Sequence, residues 1–320
     1  MTTHVTYQDV LATSQKLASA AHRTPVLSSS QLNTQLGARV FFKCENLQKV
    51  GAFKYRGAYN AIHHLSDGEK ARGILAFSSG NHGQAVAKVA QDLGLRACIV
   101  MPDNAPQAKV AAIRGYGAEL VFFDPFATTR EEVARALLQE NSYSLIHPFD
   151  NPHIIAGQAS AAVELLEEQP ELDLLLVPTG GGGLLAGSAI ATKGMSDKCQ
   201  VMGVEPALAD DAFRSFYSKT LQQAEDPQRT IADGTRTASL GELTFPIILD
   251  KVDGMLRVSE EAIKEALEFF FYRMKLVVEP SGALGLAALL SQACEGKGNI
   301  GVIISGGNVD ASTVSTILAS

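Results

Sequence analysis

The chain has 320 residues, enough for two domains or one large α/β unit, and 46% of them are hydrophobic against 19% charged, which excludes both a disordered chain and a membrane bundle. Twenty-seven basic against 34 acidic residues give a net charge of −7 with no lysine or arginine block, so the footprint of a nucleic-acid binder is missing and a small-molecule partner is expected. Residues 1–23 lack a basic segment followed by an apolar one, and no run reaches the roughly 18 apolar residues of a membrane span. Cys44, Cys98, Cys199 and Cys294 stand far apart without metal-ligand spacing, and read as buried free thiols of a cytoplasmic protein without a membrane partner.

In chain order, Thr6 can cap a first helix with Asp9 three residues on, and apolar residues recur from Val10 to Ala21 at helical spacing until Arg23-Thr24-Pro25 ends it. Strands are expected over 40–44, 74–77, 97–101, 119–122, 174–177, 200–204 and 299–305. Helices are expected over 81–93, 107–114, 130–140, 153–168, 184–193, 259–274 and 281–293. Such alternation argues for an α/β fold with largely parallel sheets. No Pro/Gly/Ser linker divides the chain, so a second domain would be inserted and not strung on in series.

Three strands run into glycine-rich loops. These are Ser78-Ser79-Gly80-Asn81-His82-Gly83, Thr179-Gly180-Gly181-Gly182-Gly183 and Ser305-Gly306-Gly307-Asn308. In open α/β sheets ligands sit beyond the carboxyl ends of strands, where backbone N–H groups and helix N-termini face an anion, so three such loops suggest one phosphorylated ligand. A single loop could equally be a tight turn. Four consecutive glycines say more, because each costs about 0.5–1 kcal/mol of local order and a turn needs only one. Gly181-x-Gly183-x-x-Ala186, with Glu205 ending the next strand, also fits a relaxed dinucleotide fingerprint. That nicotinamide-dependent oxidoreductase reading leaves the other two loops unexplained, and a non-catalytic amino-acid-binding protein is a further alternative.

The remaining motif is Gly51-Ala52-Phe53-Lys54-Tyr55-Arg56-Gly57-Ala58, after the 40–44 strand and opening a helix. A lysine on a glycine-preceded turn beside an aromatic ring can be a desolvated amine able to form a Schiff base, although most single lysines are simply surface residues.

Together with Ser78-Ser79-Gly80-Asn81-His82-Gly83-Gln84, Ile155-Ala156-Gly157-Gln158, the four glycines, Ile231-Ala232-Asp233-Gly234 and Ser305-Gly306-Gly307-Asn308-Val309-Asp310, this motif closely resembles the serine racemase and serine/threonine dehydratase family, in the same order and over nearly the whole chain. The resemblance implies pyridoxal 5′-phosphate (PLP) on a tryptophan-synthase-β-like α/β fold, fold type II. Two open twisted domains, residues 1–73 with 148–320 and the inserted 74–147, would hold the cofactor between them. Lys54 would carry PLP and later move the α-proton, and Phe53 would pack on the ring. Gly180, Gly181, Gly182 and Gly183 would bind the phosphate, Asn81 the ring hydroxyl and Ser305 the pyridine nitrogen, with Gly234 completing the cofactor site. Ser78, Ser79, Asn81 and His82 would cradle the substrate carboxylate, and Ser79 would serve the face opposite the lysine in racemising members. Glu205, Ala209 and Asp211 match a divalent-cation site for Mg²⁺, Mn²⁺ or Ca²⁺. Lys275, Asn308 and Gln84 fall where nucleotide-responsive members bind ATP, and a homodimer is implied.

Only ten residues follow Asp310, so a C-terminal regulatory domain is not expected. The stretch from Gly234 to Gly241 resembles hydroxyaspartate ammonia-lyases, and Arg130 stands where racemases have arginine. The expected activity is β-elimination from 3-hydroxyaspartate to give oxaloacetate and ammonia, with serine dehydration or racemisation as the alternative. A β-carboxylate on the substrate would need a second cation, for which Arg130 and Arg236 are the candidates.

Overall fold

The computed structural model describes residues 4–78, 80–105, 107–124 and 126–319. Ser79 lies outside them.

Among the described residues, ten strands form two sheets. They are β1 Val26–Leu27, β2 Arg39–Cys44, β3 Ile74–Phe77, β4 Ala97–Pro102, β5 Glu119–Phe123, β6 Ser144–Leu145, β7 Leu174–Pro178, β8 Gln200–Pro206, β9 Gly254–Val258 and β10 Asn299–Ile304. One sheet has the order β1-β2-β10-β7-β8-β9 and the other β5-β4-β3-β6. Every pairing is parallel except β1 with β2, as the alternation of strands and helices implies.

Near-continuous apolar strands follow from burial on both faces. Along β7, Leu174 and Leu176 join one core with the helices Glu260–Phe269 and Leu284–Leu290, while Leu175 and Val177 join another with Pro152–Glu168 and Gly183–Met195. In the smaller sheet Ile74, Ala76, Ile99 and Met101 face the helices Lys54–His63 and Asn81–Leu93, whereas Leu75, Phe77, Cys98 and Val100 face Arg130–Asn141. The lysine helix therefore packs on the smaller sheet although the strand before it, β2, belongs to the larger.

Several expectations need correction. The first helix has the expected capping box between Thr6 and Asp9 but stops at Leu17, where Ser19 Oγ donates to the Lys16 carbonyl and the chain turns. The helix expected over 259–274 ends at Phe269 in a π-turn over Phe270–Met274. That expected over 281–293 is a 3₁₀ turn, Pro280–Ala283, running into Leu284–Leu290. Strands β1, β6 and β9 were not foreseen; the first two are too short for a periodic signal. Cys44, Cys98 and Cys199 are buried free thiols, but Cys294 is only half-buried. Among the described residues no helix is long and apolar enough to cross a membrane.

Candidate active site

The three glycine loops lie at the carboxyl ends of β3, β7 and β10. The lysine loop is fastened to the last of them. After Val50 and Gly51, both at positive φ (56° and 69°), Ala52 extends and bridges Gly306, the Phe53 N–H donates to the Ser305 carbonyl (3.0 Å) and the Gly307 N–H to the Gly51 carbonyl (2.9 Å). A side chain at Gly51 would collide with Asn308, its Cβ 2.8 Å from Oδ1. Lys54 opens the next helix, its Nζ donating to the Pro148 carbonyl (2.7 Å) and lying 5.1 Å from the Phe53 ring centroid. Burial lowers its pKa to about 8 against the opposing pull of Glu279. The amine thus loses its proton at a lower pH than an ordinary lysine, and a larger share of it is neutral and nucleophilic near physiological pH.

Asn81 begins the helix after β3, and its amide is already committed: Nδ2 donates to Glu279 (2.8 and 3.1 Å) and Oδ1 accepts from Asn308 Nδ2 (2.8 Å), which also reaches the Val50 carbonyl (2.7 Å). Any ring hydroxyl would share this network. Glu279, which sequence reasoning missed, is its anchor; burial, then repulsion from Asp233, pushes its pKa up to about 8. The available signal was a lone acid inside the apolar run from Leu276 to Ala283. His82 turns its ring away from a free role, pairing Nε2 with the Ile146 carbonyl (2.8 Å), while burial pushes its pKa down to about 3. What remains for a carboxylate here is the helix N-terminus itself.

Gly180, Gly181, Gly182 and Gly183 join β7 to the helix Gly183–Met195, with Gly182 at φ 90° as its cap. A Cβ on Gly181 would lie 2.4 Å from the Phe149 ring, and one on Gly180 would lie 3.1 Å from Thr235 Cα, so bare backbone is required. Gly234 N–H donates to Ser281 Oγ (2.8 Å). His147, also unforeseen, stands edge-on to both Phe77 and Phe149; its Nδ1 accepts from the Asp150 N–H (2.8 Å), which puts the proton of a neutral ring on Nε2.

The two candidate arginines part company. The Arg130 guanidinium lies 5.7 Å from the Phe77 ring centroid, just before Ser78, and pairs with Glu131. Arg236 is committed to its own loop, donating through Nε (3.0 Å) and Nη2 (2.6 Å) to the Thr230 carbonyl. Glu205 and Asp211 are fully buried together. Glu205 accepts from the Ala212 and Phe213 N–H groups (3.3 and 2.7 Å), whereas neither Asp211 carboxylate oxygen has a partner among the described residues; burial raises both pKa values, that of Asp211 to about 7. Ala209 is buried beside them in sequence, and no group of three or more His, Cys, Asp or Glu suited to a metal occurs among the described residues. Lys275 donates to the Tyr272 carbonyl (2.7 Å), while Gln84 is buried in the helix after β3.

The family model for pyridoxal-phosphate dependent enzymes matches residues 17–306. The chain belongs to this family. It is 47% identical to the L-threo-3-hydroxyaspartate ammonia-lyase of Saccharomyces cerevisiae over 315 residues, covering 98% of this chain and 96% of that one. It is 48% identical to the serine racemase of Schizosaccharomyces pombe over 306 residues, 95% and 94%. The crystal structure of serine racemase from Dictyostelium discoideum superposes with a TM-score of 0.89 at 43% identity, covering 96% of this chain and 99% of that one. This is thus a PLP-dependent enzyme of fold type II, and the dinucleotide reading falls: Glu205, which would have held a ribose, is buried and bonded to backbone N–H groups. The residues fit the cofactor. A desolvated amine with a lowered pKa, a side-chain-free loop capping a helix N-terminus and a hydroxyl residue at the end of β10 match an aldehyde, a phosphate and a ring nitrogen.

Proposed function

We infer that the protein eliminates the β-hydroxyl of 3-hydroxyaspartate, yielding oxaloacetate and ammonia. When bound, PLP supplies an electron sink for the pair left at Cα. Lys54 is proposed to hold the cofactor and then to take the Cα proton, its lowered pKa suiting it to both tasks. The N-terminus of the helix Asn81–Leu93 would hold the α-carboxylate. The β-hydroxyl leaves with a proton as water, and the released enamine takes up one water to give the oxo acid and ammonia.

The observation that carries the substrate is the position of Arg130, over Phe77 at the rim of the carboxylate loop, with a side chain that is 39% exposed and able to reorient toward a second carboxylate. Likeness to a hydroxyaspartate ammonia-lyase supports the same choice. The proposed site set is Lys54 and Ser79 for catalysis, Phe53, Asn81, Gly180, Gly181, Gly182, Gly183, Gly234 and Ser305 for the cofactor, and, for substrate, Arg130 with Ser78, Asn81 and His82, the last two through the backbone N–H groups of the helix start. The cofactor would lie between a domain of residues 1–73 with 148–320 and an inserted one of 74–147. A divalent cation at Glu205, Ala209 and Asp211 is part of the proposal, supported by the two carboxylate oxygens of Asp211 that have no partner among the described residues.

The test is to incubate the PLP-loaded protein with a panel of β-hydroxy amino acids while following oxo acid and enantiomer composition together. Oxaloacetate from threo-3-hydroxyaspartate, lost in Lys54→Ala, is expected. Turnover of serine alone, to pyruvate or its enantiomer, would overturn the substrate assignment. Likeness to a serine racemase favours that second reading, under which Ser79→Ala would suppress racemisation more than elimination.

A further inference from the structure

Gln158 belongs to a motif for which the preceding site gives no role. It lies on the helix Pro152–Glu168, is 0% exposed, and neither its Nε2 nor its Oε1 has a hydrogen-bond partner among the described residues. A buried carboxamide unpaired at both ends is costly, so its retention points to a partner that arrives with a ligand. Its surroundings say which ligand. A Cβ on Gly183 would fall 2.7 Å from Gln158 Oε1, and one on Gly57 would fall 3.0 Å from Cγ and 3.2 Å from Nε2. Gln158 is therefore wedged between the first residue of the helix that the glycine loop caps and the first turn of the helix that carries Lys54.

The wedge cannot withdraw. A Cβ on Gly157 would lie 2.6 Å from the Arg56 carbonyl, and one on Gly187 would lie 2.4 Å from the Ile155 carbonyl, so both neighbouring helices contact the Gln158 helix backbone to backbone. The N-terminus of the helix Gly183–Met195 presents its own unpaired N–H groups and the positive end of its dipole. As it stands the carboxamide turns Oε1 toward Gly183 and Nε2 toward Gly57. A half-turn about Cγ–Cδ, which breaks no hydrogen bond among the described residues, exchanges them and adds an N–H where donors already gather, an arrangement suited to an oxyanion.

We propose that Gln158 is a positioning residue for the cofactor phosphate, its carboxamide completing the cradle directly or through one buried water and tying the glycine loop to the lysine helix. This rests on the reading of the four glycines as the phosphate site.

The test compares binding of PLP with that of pyridoxal, which lacks the phosphate, to the cofactor-free chain, and follows the ³¹P resonance of bound PLP. Gln158→Met should weaken PLP about tenfold, the scale of one lost hydrogen bond to a charged group, leave pyridoxal unchanged and move the ³¹P resonance. Inorganic phosphate should raise the melting temperature of the wild-type cofactor-free chain and have little effect on the variant. Gln158→Glu, of the same size, should lose more through repulsion of the phosphate, and decides the matter if the methionine variant does not fold. A folded Gln158 variant with the wild-type ratio of PLP to pyridoxal affinity and an unmoved resonance would overturn the proposal. Gly180→Ala serves as the loop control: if it too keeps the wild-type ratio, the glycine-loop reading itself is wrong.

Discussion

Lys54 combines two opposing influences, desolvation that favours the neutral amine and the Glu279 carboxylate that favours the ammonium, and desolvation prevails. Acylation of Lys54 in the cofactor-free chain, followed by peptide mass spectrometry, should therefore rise with pH and level off above about 8, whereas ordinary lysines keep gaining reactivity up to roughly pH 10. A profile like that of the surface lysines would show that the amine is not desolvated. The arginines yield a second expectation at this scale. Arg130→Ala should reduce kcat/KM for 3-hydroxyaspartate by about 2–5 kcal/mol and affect serine much less, by analogy with removal of one partner of a desolvated charge pair. Arg236→Ala should show no such selectivity, because its guanidinium already serves the Thr230 carbonyl. Equal losses on both substrates in Arg130→Ala would favour serine.

At the scale of elements, the lysine helix has no side-chain cap, and two long-range fastenings hold it instead. One is the Ser305–Gly307 contact with its approach. The other is a buried charge network: Arg56 pairs with Glu45 (2.7 Å) and Glu164 (2.7 Å), and Lys43 pairs with Glu164 (2.6 Å) while donating to the Thr24 carbonyl (2.6 Å). Two positive and two negative groups balance, yet each is desolvated at a cost, so loss of one member strands the others. Glu45→Gln or Arg56→Met should destabilise the protein by about 3–5 kcal/mol in denaturant unfolding, and a change below about 1 kcal/mol would mean that water reaches the network. Burial alone would raise the Glu45 carboxyl, but Arg56 overrides it and holds the pKa low. Its contribution to stability is therefore complete above 4.5 and declines as pH falls through the lower folded value.

Across the whole molecule, one tie crosses from the smaller sheet to the other side of the site: Lys109, on the helix Gln107–Gly115, pairs with Asp233 (2.7 Å), next to Gly234. The proposed cation lies in the loop between β8 and the helix Asp211–Ser218, where it would relieve two buried carboxylates at once. Adding Mg²⁺, Mn²⁺ or Ca²⁺ to chelator-treated protein should raise its melting temperature, corresponding to about 2.7 kcal/mol when free cation exceeds Kd roughly a hundredfold. The Glu205→Gln, Asp211→Asn double variant should be insensitive to chelator and cation. A wild-type melting temperature that ignores both would leave Glu205 and Asp211 as a buried pair that shares a proton.

Much of this was present in one dimension. Alternating apolar runs and helical spacing specify a parallel α/β architecture, because a strand buried on both faces must be apolar throughout, and β2, β3, β4, β5, β7, β8 and β10 fall within two residues of their expected bounds. Lys54, the four glycines and the Ser78–Gln84 motif stood out because the chemistry needs rare local features, a glycine-preceded lysine and a loop free of side chains. Partners supplied by remote chain could not be read in this way. Glu279 is 198 residues from Asn81, and Gln158 is a common residue type whose meaning comes only from Gly57 and Gly183 closing on it. Arg130 and Arg236 were both candidates on charge, and tertiary structure separates their surroundings, giving one an exposed place over Phe77 and binding the other to a carbonyl of its own loop. Local pattern determines which backbone forms and where a helix or loop begins, whereas the commitment of a polar side chain depends on which distant groups folding leaves within about 3 Å of it.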